Sequence, residues 1–207
     1  MTQTGKVYSY PENFRSLKIL ISASYGGHDL SVDKEFQFGV TDLSKQYLSK
    51  FPLGKVPCVE LSGGQLLDES NSACWLLCPD SMTGAGDKVV QSNIIRWMCL
   101  ADQEVTPAAC NWVYPLLGLM PVSPHMDRAK TELVKFMTFL NEQLRLKTWL
   151  VGERISLADI CVASSMLLVF NNNVLDLTLK VKNRHNQTEL LFLTLDSGKS
   201  SPSSEMV

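Results

Sequence analysis

Proline 57 constrains this chain more than any other residue, because of the stretch it opens. Residues 51–72 read FPLGKVPCVELSGGQLLDESNS. Proline has no N–H to give a sheet ladder, so Pro57 belongs at the start of a strand or in a turn. Cys58, Val59, Glu60 and Leu61 then suit a short strand. Gly63 and Gly64 can both take positive φ, which a tight hairpin favours. Gln65, Leu66 and Leu67 form the returning strand, and a helix is predicted over residues 70–78 with Ser70 as its N-cap. Pro79 stops it. A helix N-terminus with free amides and a hydroxyl is suited to a carboxylate.

The residues before this stretch alternate between strand and helix patterns. A strand is predicted over residues 6–10 and ended by Pro11. Phe14, Leu17, Leu20, Ile21 and Ser24 recur at helical spacing, predicting a helix over residues 13–25 closed by Gly26 and Gly27. Residues 28–32 suit a second strand. Thr41 or Asp42 is expected to cap a helix that runs to Lys50. The order β-α-β-α-β-β-α implies a small mixed sheet with helices on its faces.

Residues 81–86 are rich in Gly, Ser and Thr and read as a linker. Beyond them the periodicity is helical only. Val90, Ile94, Trp97 and Ala101 make one stripe, which Pro107 interrupts or kinks. A long amphipathic helix is predicted over residues 126–146. At Ile155-Ser156-Leu157-Ala158-Asp159-Ile160, the Ser156 hydroxyl is expected to accept the amide of Asp159 while the Asp159 carboxylate accepts that of Ser156. The following helix is apolar on nearly every side, as a central buried helix would be. Residues 171–195 keep apolar residues with poor periodicity, and the Ser-rich residues 196–207 read as disordered.

Composition narrows the function classes. A net charge of −2 without a basic run argues against direct nucleic-acid binding. The longest apolar run, residues 160–170, is about half the ~20 residues needed to cross a bilayer, so no membrane partner is expected. Most of the six cysteines sit in apolar stretches and no apolar leader opens the chain. Reduced, buried thiols in a cytoplasmic protein are the expectation. His28, His125 and His185 lie far apart and away from the cysteines, so no zinc site is predicted. No GxxxxGK[ST] phosphate loop occurs. Lys45, Lys50 and Lys55 give a modest positive edge beside the hairpin.

YSYPENFRSLK, FQFGVTDLSKQYLSKFPLGKVPCVE, NWVYPLLGLM and TWLVGERISLADI together resemble the N-terminal glutathione S-transferase-like domains of the gamma subunits of translation elongation factor 1. The transferase-like extension of valyl-tRNA synthetase is the nearest alternative. The resemblance covers about residues 7–176. It implies a glutathione S-transferase-like fold: an α/β thioredoxin-like subdomain over residues 1–80, a linker over 81–86, an all-helical subdomain over 87–195 and a tail over 196–207. It implies a cis peptide before Pro57. It implies a glutathione cleft made by Lys55, Val56, Pro57, Glu69 and Ser70, with Val56 pairing the cysteinyl part and Glu69 and Ser70 the γ-glutamyl end. After about Leu177 the sequence departs from the family pattern, as an alternatively terminated form would.

A transferase must hold the glutathione thiolate, and a hydroxyl at the end of the first strand usually donates to it. Tyr8, Ser9 and Tyr10 are the candidates, but the neighbouring Glu12 would oppose thiolate formation. No catalytic residue is therefore assigned. The resemblance implies a scaffold that binds the guanine-nucleotide-exchange subunit and aminoacyl-tRNA synthetases, requires no cofactor, and allows a homodimer. An active glutathione transferase conjugating electrophiles is the alternative.

Overall fold

The computed structural model describes residues 2–170. The expectations for residues 171–207 lie outside them. The sheet has four strands in the order β2-β1-β3-β4. The central strand β1 (Thr4–Tyr8) pairs in parallel with β2 (Asp29–Val32) and antiparallel with β3 (Cys58–Leu61); β4 (Leu66–Leu67) pairs antiparallel with β3. β1 thus begins and ends two residues earlier than predicted. Its last partner is Cys58, and the next residue of that strand, Pro57, has no N–H with which to continue the ladder. Gly5 is required at the β1–β3 contact, since a Cβ there would stand 2.7 Å from the Glu60 carbonyl oxygen. In the hairpin, Gly64 N–H reaches the Leu61 carbonyl at 2.8 Å and Gly64 alone of the pair takes positive φ.

Helix α1 (Phe14–Tyr25) is capped by Asn13, whose side chain accepts the Arg15 amide. Helix α2 (Lys45–Lys50) is capped by Ser44, not by Thr41 or Asp42. The side chains of those two instead accept the amides of Gln37 and Gly39, at 2.9 and 2.6 Å, and so close the preceding turns. Helix α3 is Ser70–Leu77, and its N-cap is Glu69 rather than Ser70. Ser70 is the first helical residue. Its hydroxyl therefore is not spent on capping, and no side chain caps this helix.

Residues 81–86 open inside a short helix, α4 (Asp80–Thr83), whose Met82 and Thr83 are buried. Helix α5 (Lys88–Leu100) follows, capped by Asp87, whose carboxylate accepts two first-turn amides. Pro107 does not break the chain of helices. A π turn (Ala101–Val105) widens the backbone ahead of it and leads directly into α6 (Thr106–Leu116). Such a widening accommodates a proline ring and its missing donor. Helix α7 is Met126–Leu144.

Helix α8 (Leu157–Phe170) is buried on nearly every side and packs against α1, α5 and α6, which is why its sequence lacks a polar face. Before α8, the Asp159 carboxylate accepts the amides of Ser156 at 2.8 Å and Leu150 at 2.9 Å. The Ser156 hydroxyl donates to the same carboxylate at 2.9 Å. It does not accept the Asp159 amide, which points to the Ser156 carbonyl at 3.2 Å. Among the described residues no helix is long and apolar enough to cross a membrane.

Candidate functional site

The candidate site lies at the end of the β3–β4 hairpin, where Pro57 leads into β3 and α3 follows β4. The Val56–Pro57 peptide is cis. Pro57 is buried and Lys55 is exposed. The Lys55 carbonyl faces inward, accepting the Tyr47 hydroxyl at 2.7 Å and the Cys58 thiol at 3.1 Å. These two bonds hold the segment before the proline in place. The backbone N–H and C=O of Val56 make no hydrogen bond within the described residues. Continuing the β3–β4 register from Val59 opposite Leu67 places Pro57 level with Glu69. The extended register would set Lys55, Val56 and Pro57 opposite Glu69 and Ser70 at the same hairpin end. Glu69 is exposed and Ser70 nearly buried, and the Ser70 hydroxyl has no hydrogen-bond partner among the described residues. The first turn of α3 contains no acid. Its open amides and the free Val56 groups are the features a peptide with a carboxylate end would use.

The three hydroxyl candidates at the end of β1 have separate environments. Tyr8 donates to Glu60 at 2.6 Å, and its ring meets Tyr47 and Phe51 edge-on. Burial, then the Glu60 carboxylate, pushes its phenol well above the ordinary tyrosine value. Ser9 is buried, and its oxygen accepts from Asn13 at 3.0 Å and Ser16 at 2.6 Å. It fixes the entry into α1. Tyr10 lies past the strand end with its ring against Phe38. Of the three, Tyr10 alone keeps a hydroxyl without a hydrogen bond among the described residues.

Thiolate chemistry by the protein's own cysteines is disfavoured here. Burial pushes the Cys58 thiol up, and the nearby carboxylates of Asp68 and Glu69 push it further. Burial likewise carries Cys74 up to about 12. All six cysteines are free, four of them buried, with Cys99 exposed.

Two groups of residues near the cleft were not singled out from the sequence. Glu60 takes two bonds from Lys50, at 2.6 and 2.7 Å, besides that from Tyr8. Asn71, next to Ser70, accepts from the buried Lys18 at 2.6 Å and donates to Asp102 of the π turn at 2.6 Å. This ties the start of α3 to the helical half. Spacing could have revealed Lys18, because it stands four residues from both Phe14 and Ser22 on the buried stripe of α1.

Comparison with known proteins bears on the fold and the family. The family model described as "Glutathione S-transferase, C-terminal domain" matches residues 105–181. Elongation factor 1-gamma of Artemia salina is 43% identical over 173 residues, covering 83% of this chain and 40% of that protein. Elongation factor 1-gamma of Drosophila melanogaster is 45% identical over 166 residues, covering 80% and 38%. The chain therefore spans about two fifths of the length of these relatives. Among solved structures, the GST-like domain of elongation factor 1-gamma from Saccharomyces cerevisiae is similar with a TM-score of 0.65 and 27% identity, covering 82% of this chain and 79% of that one. A glutathione S-transferase-I bound with lactoylglutathione shares the fold with a TM-score of 0.75 at 19% identity, over 92% and 93% of the two chains. The chain has the glutathione S-transferase-like fold, an α/β sheet half followed by an all-helical half, and by sequence it belongs with the glutathione S-transferase-like domains of the elongation factor 1-gamma family.

Proposed function

We propose that this chain is a scaffold and anchoring module of the elongation factor 1 complex in the cytoplasm, acting in translation elongation. Its partners would be the guanine-nucleotide-exchange subunit and aminoacyl-tRNA synthetases. The observation that carries this reading, beside the identity to elongation factor 1-gamma over four fifths of the chain, is the use made of the β1 hydroxyls. Tyr8 gives its proton to Glu60, and the buried Ser9 gives its own to the Tyr10 carbonyl. Neither is free to hold a glutathione thiolate. A pull-down with the purified exchange subunit tests the proposal; retention of neither that subunit nor any synthetase by the full chain would overturn it.

A glutathione transferase is the second reading, and two observations favour it. The free Val56 backbone groups and the Ser70 hydroxyl fit glutathione, and Tyr10 at the end of the first strand keeps a hydroxyl with no hydrogen bond among the described residues. A conjugation assay with a model electrophile separates the readings. The scaffold reading expects negligible turnover. Robust turnover abolished by Tyr10→Phe or Ser70→Ala would establish the enzyme instead.

A further inference from the structure

The turn that joins α6 to α7 carries five large apolar side chains in the open. Leu116, Leu117, Leu119, Met120 and Val122 are between 43% and 75% exposed. Exposed apolar residues scattered singly need no explanation, whereas a run of them marks an interaction site.

The turn is held in shape from within. Gly118 takes positive φ, its amide reaches the Pro115 carbonyl at 3.1 Å, and the Leu119 amide reaches the Tyr114 carbonyl at 2.9 Å. These two bonds make the Schellman ending of a helix, in which the residue after the glycine commonly packs back on the last turn. Leu119 holds that position and is 67% exposed instead. Pro121 and Pro124 restrict the backbone that follows. A surface fixed before contact loses little entropy on binding.

Charge is missing from this stretch. From Val105 to Met126 the sequence holds no Asp, Glu, Lys or Arg. The nearest charged residues along the chain are of both signs, Glu104 before it and Asp127, Arg128 and Lys130 after it. A contact across a two-fold axis sets a surface against itself, so any charge within it meets its like and repels. An uncharged apolar surface escapes that cost. The five side chains offer on the order of 500 Å², as large as the main apolar patch of an ordinary monomer. Two such surfaces face to face would bury about 1,000 Å², the lower bound for a specific interface.

From these features we propose that the α6–α7 turn is a self-association surface, pairing with the same turn of a second copy of this chain. Attachment to an anionic bilayer draws on flanking basic residues, and Asp127 stands among those present here. The inference goes beyond the scaffold reading and is tested without the exchange subunit or glutathione.

The test is sedimentation equilibrium of the full chain. Reversible dimerisation is expected, little changed by salt because no charge takes part. Leu119→Asp with Val122→Asp is expected to weaken it about ten-fold, and Leu119→Lys with Val122→Lys likewise. The acidic pair mixed with the basic pair should associate about ten-fold more tightly than either alone. That recovery requires the two turns to face each other and cannot come from misfolding. Dimerisation untouched by these substitutions, or a mixture no tighter than its components, overturns the proposal. So does a monomeric wild type, whether or not phosphatidylcholine vesicles or the exchange subunit then engage Leu119 and Val122.

Discussion

Glu60 receives three hydrogen bonds, one from Tyr8 and two from Lys50, and these hold its carboxyl below its ordinary value of 4.5. A depressed carboxylate stabilises the fold above the ordinary range, and that contribution is lost as pH falls through the depressed value. Glu60→Gln should therefore lower the melting temperature most near neutral pH. The gap from wild type should shrink as pH drops below 4.5; a gap constant with pH would remove the carboxylate from the explanation. Asp159 is a different case. Its burial outweighs the bonds from Leu150 and Ser156, so its carboxyl titrates above the ordinary range. Asp159→Ala leaves two buried amides without acceptors and should destabilise by about 3 kcal/mol. Ser156→Ala removes one hydroxyl donor and should destabilise by about 1 kcal/mol. Urea unfolding of both variants checks the order. The acid and serine of this motif were legible as a pair. Which of them accepts was not, because the hydroxyl's partner depends on how deeply the carboxylate is buried.

At the scale of elements, the end of α1 shows how far local signals reach. Gly26 and Gly27 read equally well as a helix stop. In the structure Gly27 takes positive φ and ends the helix, while Gly26 keeps an ordinary φ of −78°. Gly26 is needed because a side chain there would overlap the Leu77 carbonyl of α3. Gly26→Ala should force α1 and α3 apart and destabilise by about 3 kcal/mol, measurable by thermal unfolding. A loss below about 0.5 kcal/mol, as at an ordinary surface site, would show that the close approach is not needed. The cap of α3 lies one residue before the predicted one, and that of α2 two residues after Asp42. Thr41, Asp42 and Ser44 are all suitable caps, and the choice falls on Ser44 because turn amides claim the other two. The π turn had a sequence cause in Pro107, but whether a proline kinks or widens a helix depends on what packs around it.

For the whole molecule, the Lys18–Asn71–Asp102 network joins α1, α3 and the π turn, and so couples the sheet half to the helical half. Lys18 is 1% exposed and Asp102 34%. Asp102→Ala leaves the buried ammonium bonded to Asn71 but without its counter-charge, and allowing for the partly solvated partner should cost about 2 kcal/mol. Lys18→Met should cost less, since Asp102 can turn to water. The double variant should cost less than the sum, and strict additivity in a double-mutant cycle would show that the pair is uncoupled. The sequence by itself determined the order of elements in the sheet half, the hairpin after Pro57, the buried α8 and the family, because hydrophobic period, proline and glycine act through short-range sterics. Only the tertiary structure decided that Tyr8 belongs to Glu60, that Ser9 belongs to Asn13 and Ser16, and that Lys18 meets Asn71 and Asp102. These pairings join residues across turns and between elements, where a side chain's partner is set by packing rather than by spacing.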